Sequence, residues 1–379
     1  MFIDNLKVVL TVLVIAHLVG QAYGPTGGWW PIQEEARTRL LGPFFSVNRS
    51  FFMSLFFMIS GYFTAFSYER HGSRRFVMRR LVRLGVPLLA FFFAIVPLQQ
   101  FLGHAASGDP VPTSFWRYYA DQYLGLGERP PGSLGPAWPE MNFGHLWYSE
   151  HVPIYSLVYA GIRTLRRPGG ASGTCGKGPP RHGAILLFAL GTAVASGVVR
   201  IWYPIARWVG LLGFIQVAFA DLPRDLGFFL VGMLAYRRQW LQGLPNEIES
   251  VWMGVGLGAS ILRTVYVLGI SRVVRLGDVT TGIVHPIWEA LLCCGMCIGL
   301  PALFRRRLDW QGALGRALTR NQYAAYLFHV PVIVVCQYAA TFADWPPLTK
   351  FVVVTAVGVP TTFLLSHAIT QIRPLRAVI

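Results

Sequence analysis

Charge is scarce in this chain. Only 13% of the 379 residues are Asp, Glu, Lys or Arg, and the 33 basic residues outnumber the 17 acidic ones. So thin a supply cannot cover the surface of a water-soluble fold of this length. The five cysteines form no disulfide framework: Cys293, Cys294, Cys297 and Cys336 stand inside apolar runs and read as small packing residues. Cys293 and Cys297 are one helical turn apart, but no further ligands accompany them, so no metal site is expected. Tandem repeats, a separate soluble segment and a glycine-rich nucleotide-binding pattern are all lacking. The net charge of +16 would suggest nucleic acid in a soluble protein. Its distribution points elsewhere.

What the chain does have is apolar sequence. Hydrophobic residues make up 54% and the mean hydropathy is +0.47. Runs of roughly bilayer length recur at 6–23, 50–67, 84–102, 145–162, 184–203, 224–237, 251–270, 282–303, 322–341 and 348–369. The expectation is an all-α polytopic membrane protein, one domain over 1–379 with about ten transmembrane helices. The span at 224–237 is short. The region 204–222 is ambiguous, and the segment after Trp208 is a candidate to lie along the outer interface. The first run has no small-residue cleavage site behind it and reads as a retained helix, not a signal peptide.

The basic clusters sit between these runs, at Arg70 to Arg83, Arg163 to Arg181, Arg237 and Arg238, Arg305 to Arg320, and Arg373 with Arg376. The positive-inside rule puts them, and both termini, in the cytoplasm. The excess charge therefore serves topology on a lipid bilayer, and an anionic cytosolic ligand; no nucleic acid is expected. The outer loops at 24–48 and 103–143 are rich in Pro, Gly and aromatics, which suit an interfacial belt and can also stack on sugars. Residues 166–182 read as a flexible inner linker.

Polar residues at membrane depth are costly, about 2.5–3.5 kcal/mol when unpaired at mid-bilayer. His17, Glu150, His285, Glu289, His329 and His367 are so placed, with His145 and His151 near the outer boundary. Each alone fits a helix–helix hydrogen bond. Four of them, His17, Glu150, Glu289 and His329, fall on four spans that can converge on one cavity. An imidazole beside a carboxylate deprotonates a hydroxyl, the acid orienting the ring. Lys7 stands at the membrane surface, about 15 Å along the helix from His17.

Two further patterns stand out. The run Arg74 to Arg83 puts Arg75, Arg79 and Arg83 on one helical face, with Arg80 beside it. Such a ridge suits a polyphosphate, because guanidinium binds phosphate bidentately, and equally suits anionic lipid. Ser60-Gly61 lets another backbone approach closely. Nothing local marks Ser60 as a nucleophile.

In order along the chain come Ile3-Asp4-Asn5-Leu6-Lys7 with His17, Phe56 to Phe63, the Arg74–Arg83 segment before Pro87, Gly144-His-Leu-Trp147-Tyr, Phe229 to Arg237, Trp288-Glu289, and Tyr323 to Pro331. This series resembles the acyltransferase-3 family of integral-membrane acyltransferases over nearly the whole chain, closest to its glucan-biosynthesis branch. The resemblance implies a bacterial inner-membrane enzyme with no resident cofactor. It would move an acyl group, acetyl or succinyl, from cytosolic acyl-CoA to a hydroxyl of a saccharide outside. The family's basic residue and histidine map to Lys7 and His17, and its CoA-binding arginines to Arg75, Arg79 and Arg80. The family commonly has Arg at Lys7 and an 11-residue step to the histidine. Here the step is ten, which turns His17 about 80° off the expected face at ~100° per residue. The base is then His17 on a rotated or unwound helix, or His329 or His145 in its place. A proton-coupled transporter or flippase, and an inactive relative, are the alternatives.

Overall fold

The computed structural model describes residues 1–25, 30–107, 114–128, 139–165, 178–205, 207–272, 277–372 and 375. Gly27 to Trp29, the proline-rich 129–138 and most of the expected linker (166–177) lie outside them. The described chain is overwhelmingly helical. Its helices are α1 (Phe2–Val19), α2 (Gly42–Arg80), α3 (Val86–Ala90), α4 (Val96–Ser107), α5 (Phe115–Tyr118), α6 (Trp147–Leu165) and α7 (His182–Trp202). After a small hairpin come α8 (Leu222–Arg237), α9 (Trp240–Gly243), α10 (Asn246–Leu268), α11 (Asp278–Arg307), α12 (Ala313–Thr341) and α13 (Pro347–Gln371).

Every run expected to span is helical, but only seven helical stretches among the described residues are both long and apolar enough to cross a bilayer. The difference has two sources. The runs at 50–67 and 84–102 belong to one 66-residue helical stretch, Arg39–His104. Helices α6 and α8 have 19 and 16 residues and carry buried charge or histidine, which lowers their apolarity. The protein is a multi-pass membrane protein built from these helices.

The ambiguous region after α7 is not an interfacial helix. Val209–Leu211 (β1) and Ile215–Val217 (β2) pair antiparallel, with Val209 opposite Val217. Leu212 and Gly213 turn the hairpin with φ of 54° and 87°. Trp208 packs on Trp147 with ring centroids 5.4 Å apart, so the hairpin rests on the start of α6.

Helix α2 is the axis of the core. Its residues Phe51, Phe52, Leu55, Met58 and Ile59 pack with Leu6, Leu10 and Val14 of α1 and with Ala290 to Cys297 of α11. Gly61 meets α8 backbone to backbone: a Cβ there would lie 2.0 Å from the Phe229 carbonyl oxygen. Gly232 does the same in return, 1.9 Å from the Met58 oxygen. Apolar solvation gives helices no reason to associate in lipid, so such close backbone packing supplies the attraction. This is the close approach that Ser60-Gly61 predicts. Between α4 and α6, Tyr118 donates to Glu140 at 2.8 Å. Burial, then the Glu140 carboxylate, hold that phenol well above its usual range, so it remains a donor.

Candidate active site

Proline decides the local geometry of α12. Pro331 has no N–H, so the carbonyl four residues back, on Leu327, loses its helical donor. His145 fills the gap: its Nε2 lies 3.1 Å from the Leu327 oxygen. That fixes the proton on His145 Nε2. One turn along, His329 Nδ1 donates to the Tyr326 carbonyl at 2.6 Å. The proton therefore sits on Nδ1, and Nε2 carries the lone pair. This Nε2 is buried with no hydrogen-bond partner among the described residues. The two imidazoles meet edge to face, centroids 5.1 Å apart, and Tyr326 closes the group by donating to the His145 carbonyl at 3.2 Å.

Hydroxyls lead from this pair toward the arginine segment. Tyr326 packs on Tyr148 at 5.9 Å. The Tyr148 hydroxyl bonds Ser60 Oγ and donates to the Phe56 carbonyl at 3.2 Å. Tyr323 donates to the Arg83 carbonyl at 3.0 Å, and the Arg83 guanidinium lies over the Tyr323 ring. Arg80 donates to Thr64 Oγ1 at 3.1 Å, which is 3.4 Å from Ser156 Oγ. Tyr323 and His329 are six residues apart, roughly 9 Å along a helix.

The arginine ridge is split. Gly72 takes φ of 71° and breaks α2, and Leu81–Gly85 form a π-helical turn. A π turn inserts a residue and rotates the helix beyond it. Arg80, on the helical face beside that of Arg75 and Arg79, reaches Thr64, and Arg83, inside the π turn and exposed, lies over the Tyr323 ring. Arg75 is exposed, and Arg79 points outward to His71 Nε2 at 2.7 Å.

The structure does not gather His17, Glu150, Glu289 and His329 around one cavity. Helix α1 is regular through His17, with no unwinding to absorb the ten-residue step. His17 is buried among the rings of Phe45, Phe52 and Phe44, at 4.8, 5.0 and 6.2 Å, and its Nδ1 has no partner among the described residues. Lys7 pairs with Asp4 at 2.8 Å and lies over Phe63, near the other end of α2's packed face. Phe63 also lines a cavity of about 280 Å³ with Phe2, Asp4, Tyr62, Phe66 and Gln242. Glu150 is buried with both oxygens unpartnered among the described residues; the Gln216 amide on β2 is close without completing a bond. Glu289 is held by Arg200 at 2.5 Å, in a buried ionic cluster that sequence reasoning missed.

Levels along the bundle follow from two bonds. Gln322 reaches Thr11 Oγ1 at 3.3 Å, and Gln337 reaches the Val19 carbonyl at 2.8 Å. Helices α1 and α12 thus run parallel. His329 lies near the level of Ile15, nearer than His17 to the depth of Arg83.

The missed cluster comprises Arg49, Arg200, Arg224, Arg263, Asp221 and Asp225. Its signal was present: Arg200, Arg224, Asp225 and Arg263 stand inside spans, by the same rule that picked out the histidines. Tyr148 and Tyr326 were visible only as parts of motifs. No metal-binding group of His, Cys, Asp or Glu occurs among the described residues.

Known proteins give this geometry a family. A family profile described as "Acyltransferase domain" matches residues 2–367. The chain belongs to the acyltransferase-3 family. The acyltransferase is 25% identical over 346 residues to Glucans biosynthesis protein C of Salmonella schwarzengrund (strain CVM19633), covering 87% of this chain and 81% of that one. It is 24% identical, with the same coverage, to the protein of that name from Salmonella heidelberg (strain SL476). No solved structure matches the acyltransferase.

Proposed function

We propose that this acyltransferase moves an acyl group, acetyl or succinyl, from cytosolic acyl-CoA to a hydroxyl of a saccharide outside the bacterial inner membrane. Both chain termini and the arginine segment face the cytosol in this reading. The observation that carries it is the buried Nε2 of His329, without a hydrogen-bond partner among the described residues, with Tyr326, Tyr148 and Ser60 packed in series beside it and Tyr323 of the same helix meeting Arg83.

The donor's phosphates bind Arg80 and Arg83, with Arg75 and Arg79 at the mouth, since charge-assisted guanidinium–phosphate bonds are strong and bidentate. Lys7 adds positive charge beside the neighbouring cavity. The thioester arm follows the hydroxyls to His329. His329 Nε2 takes the proton of the acceptor hydroxyl, and the oxygen attacks the thioester carbonyl. The C–S bond breaks, the ester forms, and the thiolate of CoA leaves with the proton from the imidazolium. His145, locked on Leu327, holds the second imidazole against the first. Glu150, unpartnered near β2, is a site for the acceptor's hydroxyls.

A second reading makes His17 the base. Its free Nδ1 and its place in the family pattern favour it; its phenylalanine surround and distance from Arg80 do not.

The test is release of free CoA from acetyl-CoA or succinyl-CoA by purified protein with a glucan acceptor, read beside ester formation on the glycan. A transferase gives both. A transporter or flippase gives uptake into vesicles without free thiol, and an inactive relative gives neither; either result overturns the proposal.

A further inference from the structure

Four guanidiniums and three carboxylates meet between α2, α7, α8, α10 and α11. Asp221 lies 3.0 Å from Arg49, 3.3 Å from Arg200 and 3.4 Å from Arg224. Glu289 lies 2.5 Å from Arg200 and 3.7 Å from Arg224. Asp225 accepts from Ser54 at 2.6 Å and lies 3.7 Å from Arg224.

Arg263 stands apart. It donates to Ser46 Oγ at 2.7 Å, faces His285 Nε2 at 3.3 Å and lies over Trp288 at 4.8 Å. Among the described residues it has no carboxylate within ion-pair distance. His285, an imidazole that is neutral or cationic, supplies no negative charge; Arg200 and Glu289 lie near its Nδ1 and Arg263 near its Nε2. One positive charge is therefore left over. In addition, Arg200 Nε and Arg224 Nη1 are buried without hydrogen-bond partners among the described residues, Arg224 being only 5% exposed.

Buried charges are paired, and a lone cation at bilayer depth is costly. An opening exists: the Arg49 side chain is 37% exposed and Arg263 is half-buried. Both belong to the His17 end of the bundle, away from Arg80 and Arg83.

We infer that this cluster binds a carboxylate or phosphate group carried by the saccharide acceptor, with Arg263 and Ser46 as its first contacts and Arg49 at its rim. The oxyanion supplies the missing negative charge and takes hydrogen bonds that the guanidiniums now leave unused. A ligand so anchored is held at the outer end while its hydroxyl extends inward. That the anion is borne by an acceptor rests on the proposed acyl transfer; that an oxyanion binds does not.

The experiment uses full-length protein in phosphatidylcholine nanodiscs at fixed ionic strength. Thermal unfolding is followed with glucuronate, glucose 6-phosphate, inorganic phosphate and neutral glucose. The expected result is a saturable rise in Tm with the two sugar anions and none with glucose. Arg263→Gln abolishes the rise, whereas Arg207→Gln, an exposed arginine stacked on Tyr203, keeps it. Ser46→Ala retains every guanidinium and weakens the midpoint several-fold, which keeps the site testable if Arg263→Gln misfolds. No saturable shift with any oxyanion, or an equal shift in Arg263→Gln, overturns the site. Nanodiscs of anionic phospholipid that raise Tm unaided and erase the sugar-anion response would assign the anion to lipid and overturn the acceptor. Sugar-anion binding by protein that releases no CoA would support the site while removing the acyl-transfer reading.

Discussion

His145 donates to the carbonyl of Leu327 at 3.1 Å, the very group that Pro331 deprives of its helical N–H. A defect in one helix thus positions an imidazole from another. Pro331→Ala restores the N–H and competes with His145 for that oxygen. The expected outcome is a several-fold fall in acyl transfer, the equivalent of one hydrogen bond of about 1 kcal/mol, with Tm unchanged or raised. Turnover and thermal unfolding of the same preparation check it.

Arg80 is half-buried and bonded to Thr64, and Arg83, though exposed, lies over the Tyr323 ring, whereas Arg75 is exposed and Arg79 points out to His71. Charge-assisted hydrogen bonds are worth roughly 1.5–3 kcal/mol. Arg80→Gln or Arg83→Gln is therefore expected to raise KM for acyl-CoA by about 10- to 150-fold, with kcat spared. Arg75→Gln changes KM only a few-fold. Steady-state kinetics on single variants at all four arginines read the ranking, and equal effects at all four would restore an undivided ridge.

Glu289 is bonded to Arg200 and lies 3.6 Å from His285 and 3.7 Å from Arg224, away from His329 and His17. Removing one partner of a buried ion pair costs about 3–5 kcal/mol. Glu289→Gln should lower Tm sharply while the folded fraction keeps its kcat. Loss of kcat without loss of Tm would return Glu289 to the chemistry.

The α2–α8 contact leaves no room at Gly61, where a Cβ would lie 2.0 Å from the Phe229 oxygen. Gly61→Val should cost more than the ~1–3 kcal/mol of ordinary overpacking, because backbone cannot yield as a side chain can. The monodisperse yield on size exclusion, set against Ser60→Ala, measures it.

The positions of the helices were legible because apolar runs of bilayer length admit few other structures. Two features obscured their count. The break at Gly72 and the π turn at Leu81–Gly85 lie inside one continuous apolar helical stretch, and the short α8 carries Arg224 and Asp225 in its first turn. Lys7 and His17 could be placed along α1, but not the partners they face, since those lie on α2, at Phe63 and at Phe45 with Phe52. The arginine ridge was legible as charge and not as direction, because helical spacing says which arginines share a face and not which face meets the bundle. His329 was visible as a buried imidazole. Its link to His145 needed the third dimension, although Pro331 announces a vacant carbonyl on Leu327.

The most direct measurement compares His329→Ala with His17→Ala in the CoA-release assay, with acyl-CoA binding measured on both. His329→Ala should bind donor normally and lose about 10²–10⁴-fold in kcat, the usual worth of a general base, while His17→Ala retains most of its rate. A His329→Ala enzyme running at the wild-type rate beside an inert His17→Ala would contradict the placement of the base at His329.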